Sequence, residues 1–117
     1  MSLAHLSGAV DFTALEAMTG AEDEITAEVL DLFVQQASLW SAMLDADHPG
    51  WRDALHTLRG AAGGIGALSL AQVCAQVEAG DDDLAVAGLN RVDTALKQVL
   101  SDIAVYRHEL LRRSLAG

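Results

Sequence analysis

Residues 51–67 read Trp51-Arg52-Asp53-Ala54-Leu55-His56-Thr57-Leu58-Arg59-Gly60-Ala61-Ala62-Gly63-Gly64-Ile65-Gly66-Ala67. With Leu58 set at zero on a helical wheel of about 100° per residue, Trp51, Ala54, Leu55, Ala61, Ala62 and Ile65 all fall within about 60° of it. That is a core stripe. His56 lies about 160° away, on the outer side. Gly60 and Gly63 share its face, and Arg52 and Arg59 flank it. Each glycine costs a helix about 1 kcal/mol relative to Ala, so Gly60, Gly63 and Gly64 need a reason. Two remain open on the wheel alone: room for another protein to approach His56, or tight helix packing and fraying near the helix end.

The rest of the chain fits around this helix. Asp11–Met18 suits a short first helix with Asp11 or Thr13 at its start and Gly20 beyond it. Asp23 and Glu24 open a longer one, in which Ile25, Val29, Leu32, Phe33, Gln36, Leu39, Trp40 and Met43 recur at helical spacing. Pro49 suits the first turn of the third helix, with Asp47 as its cap. Ser69 could cap a fourth helix running to about Glu78. Gly80 and the acidic run Asp81–Asp83 stop it and start the last, whose buried stripe is Leu84, Leu89, Val92, Leu96, Val99, Leu100, Ile103, Tyr106 and Leu110. Arg112 and Arg113 suit its C-terminal dipole end. The expected helices are 11–19, 23–45, 49–65, 68–79 and 83–113. Long helices on short connections predict an all-α fold, an antiparallel (up-down-up-down) four-helix bundle with a short additional N-terminal helix. The 117 residues suit one domain.

Composition narrows the function. Aromatics are 4% and the chain has one Pro, which favours helix over strand. A net charge of −10 argues against nucleic acid and against anionic membranes. Cys74 is the one cysteine, so no internal disulfide or multi-thiolate metal site is available, and its apolar setting suits packing. No apolar run is long enough to cross a membrane, and no secretory signal pattern is read, so a cytoplasmic location is expected. A di-iron bundle would need Glu-x-x-His units, which are lacking. Asp45, Asp47 and His48 sit at a helix break, where capping accounts for them. His5 suits a terminal segment and His108 an exposed helix position.

The run from His56 to Ala67 resembles the signature of histidine phosphotransfer (HPt) domains, H-x-[LI]-[KR]-G-[AS]-[AS]-x-x-[LIVF]-G. The likeness continues through Leu70, Cys74 and Glu78 and covers nearly the whole chain. It implies that His56 is the phosphoacceptor. Arg59 then matches the basic residue that stabilises the phosphoryl group, Gly60 the glycine that gives a receiver domain access, and Glu78 the side chain that orients the imidazole. Arg at 59 is the less common choice there, and Ala61 stands where Ser is frequent. The partners implied are response-regulator receiver domains and a hybrid histidine kinase. No intrinsic cofactor is expected, since in this family the receiver supplies Mg²⁺. The sequence has no G-x-x-x-x-G-K-[ST] loop and no evident ATP lid, so a phosphocarrier without autokinase activity is expected. A monomer is expected as well, because the family's dimers use a dedicated hairpin and an ATPase-like domain. The alternative is a bundle that docks receivers without ever being phosphorylated. Exposed Leu15, Met18 and Ile25 are candidates either for the docking patch or for closing the bundle core.

Overall fold

The computed structural model describes residues 6–116; the reading of His5 lies outside them. Helices α1 (Phe12–Met18), α2 (Asp23–Met43), α3 (Trp51–Gly64), α4 (Leu68–Ala79) and α5 (Ala85–Ala116) follow in order, with a 3₁₀ turn at Asp82–Leu84 before the last. Helices α2 to α5 form the antiparallel bundle. α3 packs on α4, α4 on α5, and α2 closes the ring against both α3 and α5. α1 packs against α2.

The core is mostly aliphatic. Leu30, Phe33, Leu55, Leu58, Ala62, Leu70, Cys74, Val92, Leu96, Val99 and Ile103 are all buried. On α3 the buried set is Trp51, Ala54, Leu55, Leu58 and Ala62, continued by Ile65, which is the stripe the wheel identified. α3 ends in a Schellman turn: Gly66 has φ +83°, its N–H donates to Gly63 O, and Ala67 N–H donates to Ala62 O at 2.8 Å. The turn folds α4 back beside α3, which sets the relation of His56 to Glu78. A Cβ on Gly66 would sit 3.0 Å from Asp11 O, where the chain entering α1 is bonded through Asp11 N–H to Gly66 O.

Several local expectations differ from the structure. α3 begins at Trp51 with Gly50 as its cap residue, not at Pro49. Asp47 caps nothing there: its N–H donates to Asp45 Oδ1 in a tight turn, and His48 Nδ1 accepts the Gly50 N–H at 2.9 Å. Ser69 lies within α4, whose cap residue is Ala67, because the Gly66 turn delivers the chain straight into the helix. On α2 the buried residues are Thr26, Leu30, Phe33 and Ala37. Ile25, Leu32 and Leu39, assigned to the helical pattern from spacing, are instead exposed. Leu84 belongs to the 3₁₀ turn and is exposed as well.

The ends are fastened by polar contacts. Asp102, buried on α5, accepts hydrogen bonds from Ser7 N–H, Ser7 Oγ–H (2.8 Å) and Ala9 N–H. Asp11 caps α1 through Ala14 N–H, and Phe12 stacks on Tyr106 with ring centroids 4.0 Å apart. Arg112 forks onto Glu109 at 2.9 and 2.6 Å, and α5 continues to Ala116. That guanidinium hydrogen bond, above all, holds the Glu109 carboxyl below its ordinary pKa.

Candidate functional site

α3 turns its core stripe inward and so must turn His56 outward: the imidazole side chain is 62% exposed. Its Nδ1 lies 2.8 Å from Glu78 Oε1 on α4. An ionised carboxylate only accepts, so Nδ1 carries the proton and donates it to Glu78. In the neutral ring the lone pair is then left on Nε2, on the far side of the imidazole from that contact. Arg59, one turn along α3, has Nη1 3.2 Å from Glu78 Oε2 and Nη2 3.3 Å from His56 Nδ1. With the Nδ1 proton directed at Glu78, Nδ1 has no lone pair for Arg59, so the second approach is a close contact and not a hydrogen bond. Oε2 is closed off from solvent and lacks an aligned hydrogen-bond donor, so the Arg59 charge is what faces it.

The three side chains named from the sequence, His56, Arg59 and Glu78, are thus in mutual contact. The arrangement suits nucleophilic chemistry at Nε2. The carboxylate fixes the tautomer and can offset positive charge appearing on the ring, while the guanidinium offers donors to an incoming anion.

Gly60 has open space beside it, as do Gly63 and Gly64: a Cβ built on any of the three would meet nothing within 4 Å. Tight packing is therefore not why glycine stands there. The outer surface of α3 is left low around the imidazole. Of the three apolar residues proposed to adjoin it, Leu15 belongs to the core, whereas Met18 and Ile25 are exposed. Leu32 (54%) and Leu39 (68%) on α2 extend the exposed apolar set. The Asp31–Arg107 ion pair at 2.7 Å directs one flank of α2 to α5. On the helical wheel Val29, Leu32 and Gln36 lie toward the opposite flank, on the α3 side.

Sequence reasoning did not assign a role to Arg52. It reaches from α3 to the end of α4, donating from Nη1 to Glu78 O (2.6 Å) and from Nη2 to Gly80 O (3.0 Å) and Asp82 Oδ1 (2.6 Å). The one available clue was its position one turn before His56. Cys74 is buried behind the site, and burial pushes its thiol up to about 11, as suits a packing residue. Asp45 and His48 are engaged in their own turn, and His108 is exposed. Among the described residues no three His, Cys, Asp or Glu side chains converge as a metal site, and no helix is long and apolar enough to cross a membrane.

A family model described as "Hpt domain" matches residues 28–102. Among solved structures, the histidine phosphotransferase ShpA from Caulobacter crescentus is similar: 48% identical, with a TM-score of 0.78, over 92% of this chain and 99% of that one. No curated protein matches.

Proposed function

The chain belongs to the Hpt-domain family, whose proteins work with two-component kinases and response regulators in phosphorelays, and from that premise we propose that His56 is its phosphoacceptor. A phospho-aspartate on one receiver domain is attacked by the Nε2 lone pair of His56. The N–P bond forms as the P–O bond to the aspartate breaks, and the aspartate leaves as a carboxylate. The ring, now bearing phosphorus on Nε2 and a proton on Nδ1, is cationic, and Glu78 offsets that charge. Arg59 moves from Glu78 toward the phosphoryl oxygens. The reverse chemistry passes the group to an aspartate on a second receiver.

The single observation that carries this reading is the His56 Nδ1–Glu78 contact at 2.8 Å on an imidazole whose side chain is 62% exposed. It supports a ring preset as a nucleophile, because positioning and charge stabilisation are most of what phosphoryl transfer requires. The open glycines support docking of a receiver over the histidine, with Met18, Ile25 and Leu32 as apolar contacts for it. The receiver brings Mg²⁺ and most of the catalytic groups. In this reading the chain is a carrier with no intrinsic cofactor, and it does not phosphorylate itself from ATP.

The test is incubation with a phosphorylated receiver domain and Mg²⁺, followed by assay of acid-labile, base-stable phosphate on the chain. Wild type and His108→Gln take label and His56→Gln does not. A folded wild type that binds receivers but takes no label would favour the docking adaptor instead.

A further inference from the structure

α4 ends without a basic residue of its own in its last turn. The last carbonyls of a helix have no partners within it and carry its negative dipole end, so a cation is favoured there. Here the cation comes from the neighbouring helix. The Arg52 guanidinium bonds the carbonyl oxygens of Glu78 and Gly80, adds Asp82 Oδ1, and rests over the Trp51 ring at 4.4 Å. The first of these carbonyls belongs to the residue whose carboxylate holds His56. Arg52 and His56 are four residues apart on α3, so Arg52, Glu78 and His56 form a closed circuit: α3 to the Glu78 backbone, the Glu78 side chain back to α3. From the other side Val77 is lodged against Gly88 of α5, where a Cβ would come within 2.8 Å of Val77 Cγ1. Arg52 thus holds residue 78 from α3 while its neighbour Val77 is seated against α5.

We propose that Arg52 is a positioning residue that holds the Glu78 backbone so that its carboxylate meets His56 Nδ1 and keeps Nε2 free to react. This rests on the reading of His56 as phosphoacceptor, but it makes a claim about the resting imidazole that can be tested without any transfer. A lysine at 52 keeps the charge but cannot bridge two carbonyls as a planar fork does.

The experiment uses the whole chain with ¹⁵N-labelled histidine at about pH 8, where an ordinary imidazole is neutral. Imidazole ¹⁵N shifts report the tautomer of His56. A second readout is phosphorylation by phosphoramidate, in which the Nε2–P bond forms as the P–N bond to departing ammonia breaks. The variants are Arg52→Met, Arg52→Lys, Glu78→Ala and the Arg52→Met/Glu78→Ala pair, each checked for helical content and Tm. Wild type shows the Nδ1–H form. Arg52→Met loses much of it, Arg52→Lys loses less, and the phosphorylation rate of Arg52→Met falls on the order of tenfold. In the Glu78→Ala background the same change costs less than about twofold, because the two residues act in series. If Arg52→Met does not fold, Arg52→Lys carries the comparison. A folded variant that keeps the wild-type tautomer, or equal losses with and without Glu78, would overturn the proposal. A wild type that takes no phosphate while its tautomer responds to Arg52 would reject the phosphoacceptor reading and leave the positioning claim standing.

Discussion

Gly60, Gly63 and Gly64 on the outer face of α3 and Gly88 on the inner face of α5 are the same residue under opposite constraints. A Cβ at any of the first three meets nothing inside the molecule, whereas at Gly88 it runs into Val77. Valine is branched at Cβ and stiff at χ1, so it has little room to give way. Gly88 is therefore explained by the fold, which lets α4 and α5 close on each other. The α3 glycines cost helix stability and return nothing to packing, which fits the proposal that a receiver domain docks over His56.

The largest expected effect lies on the open face. Gly60→Gln raises a side chain beside the imidazole and lowers transfer from a phosphorylated receiver more than about tenfold, a clash worth upwards of 1.4 kcal/mol. Labelling by phosphoramidate, which needs no docked protein, stays within about twofold of wild type on the same scale. Equal losses with both donors would mean that Gly60 shapes the histidine rather than the approach to it. Next is Gly88→Ala. Overpacking costs about 1–3 kcal/mol, the better helix former returns up to about 1, and urea unfolding should register a net loss of about 1 kcal/mol. A gain there would erase the distinction between the two sets. The smallest effect is Gly60→Ala, which in the same urea assay should stabilise the fold by up to about 1 kcal/mol, since the added methyl meets open space.

The comparison also marks how far the sequence could be read. The α3 stripe was legible because its buried residues keep the helical period without interruption and its outer face is polar or glycine. The candidate site residues were named from the family resemblance rather than from the stripe; helix geometry fixes the spacing of His56, Arg59 and Gly60, and the Gly66 turn brings Glu78 into contact with the first two. α2 was less legible. Ile25, Leu32 and Leu39 repeat every seven residues on its exposed side, and an apolar face available to a partner carries the same pattern as one that meets the core. Asp102 was hidden for the converse reason. A carboxylate in a buried stripe reads as an interruption until Ser7 and Ala9, distant in sequence, are seen donating to it. Arg52 was visible only as a neighbour of His56, because two of its three hydrogen-bond partners are backbone carbonyls, which no residue type announces.

The most direct test of the central claim locates the phosphoryl group itself. The phosphorylated chain, labelled with ¹⁵N-histidine, is examined by ³¹P and ¹⁵N NMR under mildly alkaline conditions that preserve phosphohistidine. The account predicts one phosphohistidine, at His56, with phosphorus on Nε2 and the proton on Nδ1. Phosphorus on Nδ1, or on any other residue, would contradict it.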